Sequence, residues 1–399
     1  MRKIAAVYLH FIKKKSMMLN VFLYLNKEEK WKQTTGQDED ENMKIIETYG
    51  NYIEKWSNEN PDRARWLLKT GWKAQNLKFR FAPDKRLMPA DRYLARLMMD
   101  TMLMPLEKPQ ESAIVSIFTP CELLQEAGIH PYNVEGFSCY LSASKAERAF
   151  LQQAENTGIS ETLCSYHKTF IGAAQKKVLP KPKCIVYTNL TCDANLLTFK
   201  KLAKMYEVPI FAIDVPMQQN EDNVQYVADQ LRKLKEFIEK CTGKKITDEA
   251  LTERLRRSKR TLEKFAQYEK ESADKYVPAD LVTPLYVGMT NNLLLGTKEE
   301  EDYVDRLLKD VKNAPAKKGK KIYWMHTIPF WSDAVKNELC FQEKAQIVGC
   351  ELSHVCEPDF DPEKPYEAMA RRMVYHALNG SAIRRIEAGI RHAKETGAD

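Results

Sequence analysis

The sequence predicts an α/β protein, with a helical N-terminal region followed by two doubly wound parallel-sheet domains. Three observations lead there. Short unbroken apolar runs recur after Ser112, helical periodicity separates them, and the chain before Ser112 shows helical spacing without a β-branched run. At 399 residues the chain exceeds one ordinary domain, and 44% hydrophobic with 29% charged residues is a globular composition.

Between about Met43 and Met104, Trp56, Trp66, Leu67 and Trp72 fall at mostly helical spacings, and the tryptophans read as packing anchors. Ala113-Ile-Val-Ser-Ile-Phe118, ended by Thr119-Pro120, reads as a buried strand. Cys184–Thr188 and Pro209–Ile213 repeat that look around a helical stretch from Leu196 to Tyr206, the order of a parallel βαβ unit. Strands that are apolar throughout are covered on both faces. Val224, Val227, Leu231, Leu234 and Ile238 then mark a helix that stops at Gly243. Thr247-Asp248-Glu249 opens the next helix with a cap and two acids. Ile322–His326 and Gln346–Gly349 predict two further strands around a helical stretch, and a helical segment from Tyr366 to Ala393 closes the chain. The expected domains are residues 1–108, 109–280 and 281–399.

The segment from Met1 to Asn26 looks briefly like a targeting signal, but Lys13, Lys14 and Lys15 break its apolar stretch and no small-residue cleavage site follows. Its apolar pieces are too short to span a bilayer, so a cytoplasmic protein without a membrane partner is expected. The net charge of +7 concentrates at Arg254, Arg256, Arg257, Lys259 and Arg260 and at Lys317, Lys318, Lys320 and Lys321. The first group lies on a helix beside Leu251, Leu255 and Leu262 and reads as a solvated face. The second reads as an exposed loop. No nucleic-acid module and no GxxxxGK[ST] loop is present, so neither nucleic acid nor ATP is expected as a ligand of this chain. A moderate positive balance also suits a substrate carrying several phosphates, such as coenzyme A.

Nine cysteines, an odd count without a secretory signal, point to reduced thiols or metal ligands rather than disulfides. Most read as small buried hydrophobes. Cys164 and Cys192 stand apart. Cys164 precedes a helical stretch, and Cys192 follows a buried strand at the start of the next helix. Ligands bind at the carboxyl ends of strands in an open α/β sheet. A helix N-terminus there supplies N–H groups that favour thiolate, and thiolates can bind an iron–sulfur cluster.

Longer stretches carry a family resemblance. Thr119-Pro-Cys-Glu-Leu-Leu-Gln-Glu-Ala-Gly-Ile-His-Pro131, Ala154-Glu-Asn-Thr-Gly158, Leu163-Cys-Ser-Tyr166 and Gly172 resemble the first part of 2-hydroxyacyl-CoA dehydratase and benzoyl-CoA reductase subunits. Leu179-Pro-Lys-Pro182, Thr191-Cys-Asp193 and Val208-Pro-Ile-Phe-Ala-Ile-Asp-Val-Pro216 are similar to the segment around that family's second cluster cysteine. The matches follow family order over most of residues 112–399. The resemblance implies flavodoxin-like domains, a related subunit in a heterodimer, a [4Fe-4S] cluster, an acyl-CoA substrate and an ATP-dependent iron–sulfur activator. It implies water elimination from an (R)-2-hydroxyacyl-CoA through a ketyl radical anion. Ring reduction of the benzoyl-CoA reductase type, a double-cubane reductase or a non-catalytic accessory subunit of the same fold are the alternatives. A flavin is left undecided.

The resemblance also assigns residues. Cys164 and Cys192 are the expected cluster ligands. Glu122 stands at the family's glutamate position and is expected to be either an active-site carboxylate or a structural hydrogen-bonding partner beside Pro120. His167 follows Cys164 by three residues and either reaches the same pocket or is a hydrogen-bonded surface histidine. Cys121 is a further candidate lining residue. The family's third cluster cysteine lies on a strand after the helix that ends this chain. The second domain is therefore expected to be incomplete and the chain a fragment, a split product or a shortened homologue. Cys350 and Cys356 are the only nearby substitutes for the third ligand.

Overall fold

The computed structural model describes residues 36–353 and 359–399, so the Met1 to Asn26 segment and Cys356 lie outside the described residues. Three helices come first: α1 Gly36–Glu59, α2 Pro61–Phe81 and α3 Pro89–Glu107. Asn60 caps α2 by accepting the Arg63 N–H, with Pro61 at the first helical position. Trp72 is the anchor expected of it, buried edge-on against Phe137 and Tyr140 with its indole N–H on Ser144. Trp66 is not one, being 43% exposed.

The first sheet has strands β1 Ser112–Val115, β2 His130–Asn133, β3 Cys184–Thr188 and β4 Ile210–Ile213, in the order β2-β1-β3-β4, all parallel. Central β1 and β3 are buried throughout. β1 is shorter than predicted, because Ile117 and Phe118 already lie in a turn. The edge strand β2 was not foreseen: His-Pro-Tyr-Asn lacks an apolar run, and a proline is tolerated where only one side is paired. Between strands run α4 Glu122–Glu126, α5 Val134–Ala143, α6 Arg148–Asn156, α7 Ser165–Gln175 and α8 Asn195–Tyr206.

The long helices α9 Glu221–Thr242 and α10 Asp248–Ser272 follow as predicted, with Gly243 left-handed after the first and Thr247 capping the second. The basic residues of α10 are paired: Arg254 with Glu126, Arg256 with Glu253 and Glu363, and Arg260 with Glu301. After α11 Thr283–Leu293 and α12 Lys298–Lys312, a second sheet forms from β5 Lys320–Trp324 and β6 Ala345–Cys350, parallel around α13 Asp333–Leu339. The closing helical segment is two helices, α14 Pro365–Val374 and α15 Ala382–Glu395. Asn379-Gly380-Ser381 separates them, since Gly380 has φ +104° and Ser381 caps the second helix. One hydrophobic core joins the N-terminal helices, the first sheet, α9 to α12 and α14. A smaller cluster around Leu281, Ile328 and Cys350 supports β5 and β6. No helix among the described residues is long and apolar enough to cross a membrane.

Gly172 sits where α7 crosses α6 backbone to backbone: a Cβ there would lie 1.9 Å from the Phe150 carbonyl oxygen. Gly172→Ala is expected to cost roughly 1–3 kcal/mol by forcing the helices apart. Urea unfolding reads this as a lower midpoint with an unchanged slope.

Candidate functional site

Because the four strands of the first sheet are parallel, their carboxyl ends open on one edge. β3 leaves that edge through Asn189–Ala194. The Asn189 side chain accepts the Val215 N–H and donates to Asp214, which fastens the loop to the end of β4. Thr191 has φ +67°, a costly conformation for a β-branched residue, and the sharp bend presents Cys192. The Cys192 sulfur receives the backbone N–H groups of Ala194 and Asn195. Burial outweighs them and pushes its thiol above the ordinary range, against the thiolate expected at a helix start.

Cys164 is the exposed N-cap residue of α7. Lys168, buried in the same helix, donates to the Glu161 carbonyl and to Glu155, which ties down the loop before Cys164. Cys164 lies within electrostatic reach of Cys192, Cys139 and Tyr166. The two expected ligands, 28 positions apart (192 − 164), therefore share one neighbourhood.

His167 joins them and is no surface histidine: it is 3% exposed. The Thr198 hydroxyl donates to the Ala194 carbonyl, so it accepts the His167 Nδ1–H at 3.0 Å. Burial lowers the ring to about 4, which keeps it neutral. Nε2 is thus an acceptor, 3.6 Å from the Cys192 sulfur.

Two neighbours had no sequence signal. Glu135 follows the unforeseen β2, and burial raises its carboxyl to about 7 although the Ile117 N–H and its own donate to it. Cys139 is hydrogen-bonded to Tyr166, and burial pushes its thiol up to about 12. Only the placement of β2 and α5 brings them to this edge.

Glu122 is the first residue of α4, after the turn that follows β1, and is 1% exposed. Its Oε1 accepts from Arg372 and from the Ser258 hydroxyl, so the structural partnership is present. It lines a cavity of about 20 Å³ with Thr119, Leu190, Asn291, Arg372 and His376. Cys121 is not among the lining residues; its thiol donates to the Thr119 carbonyl at 3.2 Å. Cys350 is buried in the smaller cluster under the second sheet and hydrogen-bonded to Ser353.

Thiols are what iron–sulfur clusters take as ligands, and Cys164 and Cys192 suit one in kind: one is exposed, and the other has N–H donors on its sulfur. They would supply part of the set. Among the described residues, no three His, Cys, Asp or Glu side chains converge to hold a metal ion.

Residues 116–399 match the family model of the 2-hydroxyglutaryl-CoA dehydratase D-component. The chain is 23% identical over 216 residues to the (R)-phenyllactyl-CoA dehydratase alpha subunit of Clostridium sporogenes, covering 51% of this chain and 52% of that protein. It is 26% identical over 91 residues to the (R)-2-hydroxyglutaryl-CoA dehydratase alpha subunit of Acidaminococcus fermentans, covering 22% and 19%. The chain thus spans about half the length of the first relative and less of the second. With the match running over most of its length, the chain belongs to the 2-hydroxyglutaryl-CoA dehydratase D-component family.

Proposed function

We propose that this chain is a cytoplasmic subunit of an (R)-2-hydroxyacyl-CoA dehydratase, with Cys164 and Cys192 as ligands of a [4Fe-4S] cluster. The observation that carries it is the meeting of these cysteines at one sheet edge, the second 3.6 Å from a buried neutral histidine. A related subunit, an ATP-dependent iron–sulfur activator and an acyl-CoA complete the proposal; both relatives are named as alpha subunits.

When bound, a cluster would supply one-electron chemistry and an iron with Lewis-acid character toward a substrate oxygen. The chain's own part is to hold the sulfurs and the thiol proton. Ligation requires Cys192 to lose that proton. Before that the thiol faces His167 Nε2, which Thr198 keeps turned toward it as a hydrogen-bond acceptor, and afterwards the Ala194 and Asn195 N–H groups stabilise the negative sulfur. Lys168 holds the loop that positions Cys164.

The test is iron and acid-labile sulfide content after strictly anaerobic purification, beside Cys164→Ala and Cys192→Ala. Roughly four of each per chain, lost in both variants, is expected. Metal-free protein that folds equally well with either replacement would leave the accessory-subunit reading, which the incomplete ligand set among the described residues also favours.

A further inference from the structure

His376, two residues past α14, is 3% exposed. The Leu378 N–H donates to its Nδ1 at 3.1 Å, so Nδ1 carries no proton. Burial lowers the ring to about 4 and keeps it neutral, which places the single proton on Nε2. That N–H is buried and has no acceptor among the described residues. One helical turn back, Arg372 Nε is also a buried donor without a partner among the described residues, while its Nη2 serves Glu122. Both side chains line the cavity between the end of β1, the loop after β3, the end of α11 and α14. Buried donors are rarely left unpaired in a native structure, and two beside one cavity call for an oxygen acceptor.

The same surroundings restrict that acceptor. Glu122 lines the cavity, and Glu300 is buried within its electrostatic reach. Another anion would meet two carboxyls, whereas a neutral carbonyl or hydroxyl oxygen would not. About 20 Å³ is room for one water or one such oxygen. Leu190, a lining residue, belongs to the loop after β3 that also carries Cys192, so one loop serves both the cavity and the cysteine site.

We propose that His376 Nε2–H and Arg372 Nε–H form a subsite for a neutral oxygen of the acyl group, the thioester carbonyl or the 2-hydroxyl. The proposal rests on the dehydratase reading. It makes His376 a substrate-binding residue that stands outside the motifs quoted from the sequence.

The experiment titrates the full chain with coenzyme A, butyryl-CoA and 2-hydroxybutyryl-CoA by calorimetry. It follows the His376 Nε2–H by NMR of protein labelled with ¹⁵N-histidine. Butyryl-CoA is expected to shift the His376 signal and to bind roughly tenfold more weakly to His376→Phe, the loss of one hydrogen bond. His376→Gln, which keeps an N–H, retains most of the affinity, and coenzyme A alone binds all three proteins alike. A shift with 2-hydroxybutyryl-CoA only would assign the subsite to the hydroxyl rather than the carbonyl. Acyl-CoA binding that leaves the His376 signal unmoved and is indifferent to His376→Phe would overturn the subsite, leaving a water-filled cavity and an intact dehydratase reading. Failure of the wild-type chain to bind any of the three would instead sink the dehydratase reading and the subsite with it.

Discussion

Arg372→Met is expected to lower the unfolding free energy by roughly 3–5 kcal/mol. Arg372 is 7% and Glu122 1% exposed, so the guanidinium is the cation that lets the Glu122 carboxylate sit in the core. Glu300 sharpens the requirement. Both its carboxyl oxygens are buried without a hydrogen-bond partner among the described residues, and burial and the charge of Glu122 hold its carboxyl far above the ordinary range, with Arg372 pulling the other way. Methionine in place of Arg372 leaves two carboxyls in one core, with the Ser258 hydroxyl still donating to Glu122. Removing both charged partners is a different matter, because neither is then left unpaired. Arg372→Met combined with Glu122→Leu is therefore expected to recover most of the loss. The coupling is read from urea unfolding of the two single variants and the double. A loss below about 1 kcal/mol for Arg372→Met would mean that the pair does not form in the core.

The central strands were legible because burial on both faces demands unbroken apolar runs, which Cys184–Thr188 supplies. So were α9 and α10, whose apolar spacing and caps are local signals. β2 was not, because an edge strand needs only one neighbour and His-Pro-Tyr-Asn takes its register from β1. The break between α14 and α15 was overlooked although Asn379-Gly380-Ser381 marks it, since apolar periodicity resumes beyond it. At the candidate site, the placement of Cys164 and Cys192 at strand and helix ends followed from pattern, and their expected role from resemblance. The contact of His167 with Cys192 did not, because His167 and Thr198 meet only when α7 and α8 pack. The Arg372 partner of Glu122 is 250 residues distant in sequence, beyond any local pattern.

Asp91 is where the fold itself should respond most strongly to pH. It lies in the first turn of α3, 3% exposed, and burial, then the charges of Asp280 and Asp310, raise its carboxyl to about 8. Asp310 accepts the Ala90 N–H, and Asp280 accepts those of Val282 and Thr283. In the unfolded chain an aspartate titrates near 3.9, on the order of four units lower. Between those values the unfolded state has released a proton that the folded state keeps, so stability falls as pH rises from about 4 to about 8. At pH 7 the penalty is at most about 4 kcal/mol. Asn has nearly the same shape and cannot ionise. Asp91→Asn should therefore gain roughly 2–4 kcal/mol at pH 7 and roughly 1–2 kcal/mol near pH 5, because between the two values the penalty grows by about 1.4 kcal/mol per pH unit. Urea unfolding of both proteins at pH 5, 6, 7 and 8 follows the gap directly. A gap that stays constant across that range would show that Asp91 does not hold its proton in the folded state.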